Sequence, residues 1–151
     1  MTYLVDANVL SEATKPQPQT GVIDWLKTNQ SEIVVDSVIL GEIRLGIVRL
    51  PKGRKRENLQ GWFDEGIRKL VCIPWDYEIA MRWADLIVEL QRGGRSLPLF
   101  DSMIAATALT HRLTVATRNR RDFEAAGVQV VNPFEEKGVR RSPMSERQKS
   151  R

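Results

Sequence analysis

The chain has 151 residues, of which 42% are hydrophobic and 28% are charged. This length and composition are typical of one globular domain whose core needs neither a structural metal nor a disulfide. The single cysteine, Cys72, excludes an internal disulfide, and no apolar run is long enough to span a membrane, so we expect a cytoplasmic protein that does not bind membranes.

The positive charge is unevenly distributed along the chain. The formal net charge is +4, but residues 137–151 contain six basic side chains and one acidic one, so this segment carries +5 and the remainder −1. We predict one folded domain over 1–134 and a basic, disordered tail over 135–151. A second basic run lies inside the domain, with Arg49, Lys52, Arg54, Lys55 and Arg56. Such a run predicts contacts with the phosphates of a nucleic acid, although a solvated loop has the same composition.

Short apolar runs alternate with segments of helical periodicity. The predicted strands cover residues 3–5, 32–36, 71–73, 113–117 and 128–131, and the predicted helices cover 9–14, 21–29, 37–50, 57–70, 76–91, 101–111 and 121–125. Strand 32–36 is almost continuously apolar, which is typical of a parallel sheet buried on both faces. We therefore predict a three-layer α/β/α fold with a central parallel sheet of about five strands, in which Cys72 is a buried apolar residue.

Several polar side chains are predicted to meet at one edge of this sheet. Asp6 follows the first strand, and Thr117, Asn119 and Asp122 lie at or just after the fourth. Asp101 begins the helix that leads into the fourth strand. Because ligands of parallel sheets bind beyond the carboxyl ends of the strands, these residues are candidates for a functional site.

Glu42 is the most informative acidic residue. It lies about one and a half turns into the helix after the second strand, and its neighbours at helical spacing are apolar or small, namely Val38, Ile39, Leu45 and Gly46. A carboxylate on an apolar surface is costly unless a partner or a metal compensates it. A glutamate at the edge of the stripe, pointing to solvent, is the simpler alternative.

Structural alternatives also exist for the other acids. Asp101 stands where a helix N-cap would stand, and Asp6 and Asn8 could be turn or cap residues. If Asp6, Glu42 and Asp101 do converge, their mutual repulsion would favour binding of a cation. Ligation by oxygen alone suits Mg²⁺ or Mn²⁺, whereas the absence of paired histidine or cysteine motifs argues against a zinc site.

Five segments of the chain resemble the motifs of PIN-domain nucleases of the VapC and FitB type. They are residues 4–10 (LVDANVL), 37–46 (SVILGEIRLG), 99–108 (LFDSMIAATA), 114–119 (TVATRN) with the following Asp122-Phe123, and 131–134 (VNPF). The resemblance spans about residues 3 to 134, in the order and spacing of the family. Each motif is weak alone, and the set is specific.

The resemblance implies a ribonuclease that is the toxin of a toxin–antitoxin pair. It implies a homodimer, an inhibiting antitoxin partner, and an Mg²⁺ or Mn²⁺ ion held by Asp6, Glu42 and Asp101. Asn8, Thr117, Asn119 and Asp122 would support this site. We hypothesise that an activated water hydrolyses the RNA phosphodiester bond, because the single histidine, His111, argues against a two-histidine mechanism.

One position departs from the pattern, and other functions remain as alternatives. Some relatives carry an aspartate where this chain has Asn119, so that either Asn119 or Asp122 would complete the site.

A phosphatase with Asp6 as nucleophile would usually carry an acid at the position of Asn8, and a dinucleotide-binding protein would carry a glycine-rich motif after the first strand. A catalytically inactive module that binds RNA or a protein partner is the main alternative.

Overall fold

A computed structural model describes residues 1–135 of the chain. Its strands are β1 (Tyr3–Val5), β2 (Ile33–Asp36), β3 (Val71–Ile73), β4 (Thr114–Ala116) and β5 (Val130–Val131). Its α-helices are α1 (Ala7–Leu10), α2 (Thr20–Thr28), α3 (Ser37–Val48), α4 (Arg54–Glu65), α5 (Tyr77–Arg92), α6 (Leu99–His111) and α7 (Arg120–Ala125). The predicted tail beyond residue 135 lies outside the described residues.

The five strands form one parallel sheet in the order β3-β2-β1-β4-β5. In the centre of the sheet, Leu4 of β1 lies opposite Val34 of β2 and Val115 of β4. Because neighbouring strands are parallel, each of the four connections crosses over the sheet, and each contains at least one α-helix. The predicted fold class is confirmed, and the carboxyl ends of β1, β2 and β4 lie side by side.

The core forms where the apolar faces of the helices cover the central strands. Val5, Val35 and Val115 have no solvent exposure, and Ile39 and Ile104 pack against them from α3 and α6. Burial of this kind supplies most of the driving force for folding. The sheet is therefore a rigid base that fixes where α3 and α6 place their polar residues.

The environment of β3 differs from the prediction. β3 is an edge strand, and Val71 is 66% exposed. Cys72 is only half-buried, so the prediction of a buried cysteine is wrong. An edge strand has one unpaired side and less cover from the helices, which leaves its residues more accessible.

Several helix boundaries also differ. α6 begins at Leu99, so Asp101 lies inside its first turn, and the alternative of an N-cap at Asp101 is wrong. α1 is capped by Asp6, whose side chain accepts a hydrogen bond from the backbone N–H of Ala7, and not by Asn8. The basic run is only partly a loop, because α4 already begins at Arg54. Within residues 1–135, none of the helices has the length and apolar character needed to cross a membrane.

Candidate functional site

Asp6 lies at the carboxyl end of β1 and is only 4% exposed. Its Oδ1 accepts a hydrogen bond from Ala7 N at 2.8 Å, and its Oδ2 accepts from Thr117 Oγ1 at 2.8 Å and from Asn8 Nδ2 at 3.2 Å. Burial raises the pKa of Asp6, and these three hydrogen bonds partly oppose the rise. The hydrogen bonds thus fix the direction of the Asp6 side chain and offset part of the cost of burying its charge.

Thr117 and Asn8 join the segments that follow β1 and β4. Thr117 Oγ1 accepts hydrogen bonds from Asn119 N at 3.0 Å and from Asn8 Nδ2 at 3.4 Å, and Asn8 Oδ1 accepts from Arg118 N at 3.1 Å. Both predicted supporting residues therefore contact Asp6 directly and hold the loop after β4 against it.

Glu42 faces this centre from α3 and is half-buried. Its Oε1 is buried and has no hydrogen-bond partner within the described part of the chain. Burial, followed by the nearby charges of Asp6, Asp101 and Asp36, raises the pKa of Glu42 from 4.5 to about 7. The alternative of a solvated glutamate at the edge of the helix does not describe this environment.

Asp101 reaches the same centre from the first turn of α6. Burial and the charges of Asp6 and Asp122 raise the pKa of Asp101 from 3.8 to about 6. The adjacent side chain of Asp122 raises the pKa of Asp101 further, and that of Asn119 lowers it. Asn119 and Asp122 therefore both contact Asp101, and neither excludes the other from the site.

Asp36 is a neighbour of this centre that the sequence analysis did not identify. It is the last residue of β2 and is buried. Its Oδ1 accepts a hydrogen bond from Ile39 N at 2.8 Å, which caps α3, and its Oδ2 accepts from Thr107 Oγ1 at 2.7 Å. Because both oxygens have partners, Asp36 anchors α3 and α6 to the sheet. Its position between a buried strand and a helix was the only sequence signal for this role.

The residues at this centre offer oxygen ligands suited to a hard divalent cation. Among residues 1–135, no three histidine, cysteine, aspartate or glutamate side chains lie close enough together to enclose an ion by themselves. Mg²⁺ usually keeps several waters and takes only one or two carboxylates directly, so a closed cage is not required. The unpartnered Glu42 Oε1 and the mutual repulsion of the carboxylates are features that a hydrated cation would relieve.

The basic run of the sequence lies apart from the acidic centre. It follows the end of α3, and a helix rises 1.5 Å per residue, so Arg49 is about 10 Å from Glu42 along the helix axis. Arg54 and Lys55 line a separate groove of about 790 Å³ with Leu50 and Leu59. None of Asp6, Glu42 and Asp101 lines this groove, and contact of the basic run with RNA stays a prediction.

Comparison with known proteins identifies the family. Residues 3–128 match the sequence profile of the PIN domain. The chain belongs to the PIN-domain family. It is 36% identical over 135 residues to the toxin FitB of Neisseria gonorrhoeae, which covers 87% of this chain and 97% of FitB. It is 31% identical over 136 residues to VapC ribonuclease Y4jK of Sinorhizobium fredii, which covers 87% of this chain and 97% of that protein.

Solved structures agree with this assignment. The crystal structure of FitAcB from Neisseria gonorrhoeae aligns with a TM-score of 0.83 at 34% identity, and covers 89% of this PIN domain chain and 99% of the other. A toxin–antitoxin complex from Klebsiella pneumoniae aligns with a TM-score of 0.67 at 25% identity, and covers 89% and 99% of the two chains. The PIN-like α/β fold expected from the motifs is therefore confirmed.

Proposed function

We propose that this PIN domain is a divalent-metal-dependent endoribonuclease with Asp6, Glu42 and Asp101 as its metal-binding and catalytic residues. The observation that carries the proposal is the shared perturbation of these carboxylates. Glu42 and Asp101 hold pKa values of about 7 and about 6 because each faces Asp6 and other acids in a partly desolvated cleft. Relatives named as ribonucleases, such as VapC ribonuclease Y4jK, support RNA as the substrate.

The supporting residues of this chain would orient the ligands. A divalent ion bound here would supply a Lewis acid that activates water and neutralises charge on the scissile phosphate. Thr117 and Asn8 hold Asp6 Oδ2 in a fixed position, so that its Oδ1 and Oδ2 present a constant geometry. Asn119 and Asp122 hold Asp101, and α3 presents Glu42 Oε1 without a competing hydrogen bond.

An antitoxin partner is part of the same proposal. FitB is named as a toxin, and the aligned structure from Klebsiella pneumoniae is described as a toxin–antitoxin complex. We infer that this chain is the toxin of such a pair, and that a cognate antitoxin protein binds and inhibits it.

We also propose that the chain forms a homodimer. Five large apolar side chains are exposed on α5 and at the start of α6, namely Tyr77, Met81, Val88, Leu99 and Phe100, and the spacing of the first three places them on one face of α5. Exposed apolar side chains that cluster on one face are typical of protein interfaces. Light scattering of the chain and of Met81→Glu tests this: the dimer mass is expected for the first and the monomer mass for the second.

A cleavage assay tests the enzyme function. Purified protein is incubated with a mixed RNA pool in Mg²⁺, in Mn²⁺ and in EDTA, beside Asp6→Asn and Glu42→Gln. Cleavage that requires the metal, leaves 5′-phosphate ends and disappears in both variants is the expected result. Metal-independent cleavage that persists in both variants would refute the site, and RNA binding without any cleavage would favour the inactive binding module.

A further inference from the structure

An open cleft of about 460 Å³ lies next to the acidic centre, between the loop after β4 and helix α7. Its lining includes Asn119 and Asp122, which both lie beside Asp101 and influence its pKa. Three arginines line the same cleft, Arg118, Arg120 and Arg121. We call this space the arginine cleft. It places strongly basic side chains directly beside a group of carboxylates.

The guanidinium group of Arg118 is held in a defined position. It stacks over the ring of Phe134 at 3.9 Å from the ring centroid, and its Nη2 lies 3.9 Å from Glu12 Oε1. Its backbone N–H donates to Asn8, which in turn donates to Asp6. The side chain is nevertheless 46% exposed. Arg118 is therefore oriented by its neighbours and still presents N–H groups to the cleft.

Glu12 belongs to this arrangement although it is far from solvent. Its carboxylate is almost fully buried, forms an ion pair with Lys15 at 2.8 Å and accepts a hydrogen bond from Gln19 N at 3.0 Å. The hydrogen bonds from Lys15 and Gln19 N hold the pKa of Glu12 below its usual value. Glu12 is thus a stabilised anion beside Arg118.

Two of the three acidic side chains that line the cleft already have a cationic partner. Glu124 and Glu135 form ion pairs with Arg120 at 2.9 Å and 3.6 Å, whereas Asp122 lies beside Asp101, whose pKa its charge raises. Arg121 is exposed and has no ion pair within 4.0 Å among residues 1–135. Arg121, together with Arg118, whose distance to Glu12 is long at 3.9 Å and whose side chain is 46% exposed, is consequently able to bind an anionic ligand.

We propose that the arginine cleft is a phosphate subsite, in which Arg118 and Arg121 bind the RNA backbone phosphate next to the one that is cleaved. A polyanion that approaches several carboxylates needs cationic side chains close to those carboxylates. The basic run at Arg49–Arg56 begins about 10 Å from Glu42 along the axis of α3. Guanidinium groups bind phosphate oxygens through two parallel N–H donors, and stacking on Phe134 fixes this geometry in advance.

The proposal rests on the proposed ribonuclease function, and RNA binding without cleavage separates the two. Binding of a fluorescein-labelled single-stranded RNA is measured by anisotropy in EDTA over a series of KCl concentrations, for the full chain and for Arg118→Gln, Arg121→Gln and Arg118→Lys. Arg68→Gln is the matched control, because Arg68 precedes β3 and lies at the opposite edge of the sheet. A variant with glutamine at Lys52, Arg54, Lys55 and Arg56 tests the basic run.

Log affinity falls linearly with log salt concentration, and loss of one phosphate contact to a single strand makes this slope shallower by about 0.7. We expect this change in Arg118→Gln and in Arg121→Gln, and the wild-type slope in Arg68→Gln. Arg118→Lys is expected to keep the slope but to bind more weakly, because lysine lacks the planar donor pair. In cleavage assays, Arg118→Gln raises KM about tenfold and changes kcat less than about threefold, because its contact is with a remote phosphate.

Two results would overturn the subsite. One is a wild-type slope and affinity in both Arg118→Gln and Arg121→Gln. The other is a loss of the whole salt dependence in the variant of the basic run. If the wild-type chain does not cleave RNA, the ribonuclease function fails, but the binding series still decides the subsite. If Arg118→Gln does not fold, Arg121→Gln probes the same cleft from an exposed position.

Discussion

Replacing Glu42 by glutamine should stabilise the metal-free protein at alkaline pH. The folded chain raises the pKa of Glu42 from 4.5 to about 7, so ionised Glu42 is less favourable in the folded state than in the unfolded state. Folding stability is therefore lost as the pH rises from the unfolded pKa to the folded pKa, and the loss is constant above it. Glutamine has a similar shape and avoids this loss.

The expected magnitude follows from the size of the pKa shift. One pKa unit corresponds to about 1.36 kcal/mol, so the full shift would amount to about 3 kcal/mol. Because Glu42 is only half-buried and solvent screens its charge, we expect about half of this free energy, roughly 1.5 kcal/mol, as the difference in stability. For a chain of this size, that difference corresponds to a rise in Tm of about 3–6 °C.

Thermal unfolding in EDTA, monitored by circular dichroism over a pH series, measures this difference. We expect Glu42→Gln to exceed the wild type in Tm above about pH 7 and to approach it below about pH 5. Glu65→Gln, at an exposed glutamate at the end of α4, is the matched control and should show no such pH-dependent gain. If Glu42→Gln gives no gain at alkaline pH, or the same gain at every pH, the electrostatic description of the site is wrong.

Three further predictions concern the ligands and the ion. Thr117→Val removes the hydroxyl that lowers the pKa of Asp6. In this variant kcat should fall about tenfold and the acid limb of the pH–rate profile should move to higher pH. Thr117→Ser keeps the hydroxyl and should resemble the wild type. Asn119→Asp adds a carboxylate beside Asp101, and should lower Tm in EDTA but increase the Tm gain on addition of Mn²⁺. Mn²⁺ alone should raise the Tm of the wild type, and Glu42→Gln should lose most of this gain in the same thermal scan.

The sheet was predictable because its strands carry a strong local signal. Short apolar runs such as 33–35 and 114–116, separated by amphipathic helices, leave few alternatives to a parallel sheet with crossovers. The sequence of a single strand does not indicate its position in the sheet. The exposure of Cys72 depends on that order, which is why its predicted burial was wrong.

Helix boundaries were less predictable for a specific physical reason. Leu99 and Phe100 are exposed apolar residues that do not continue the buried stripe of α6. The apolar pattern alone therefore predicts a helix that begins two residues too late. Pro98 before them was the better signal, because proline lacks an N–H donor and its fixed φ suits a helix start.

The candidate site was predictable in part. The rule that functional residues gather at the carboxyl ends of parallel strands brought Asp6 and the residues after β4 together. Glu42 and Asp101 depended on apolar context and on the family motifs. The contacts of Asp122 and Arg118 could not be predicted, because they depend on how α7 and the segment at Phe134 pack in three dimensions.

Titration calorimetry with Mn²⁺ tests the central claim most directly, namely that Asp6, Glu42 and Asp101 form one divalent-ion site. We expect the wild type to bind Mn²⁺, and each of Asp6→Asn, Glu42→Gln and Asp101→Asn to bind it at least about tenfold more weakly, a loss of about 1.4 kcal/mol. Asp24→Asn, at an exposed aspartate of α2, should bind like the wild type. Wild-type affinity in the three folded site variants would contradict the account.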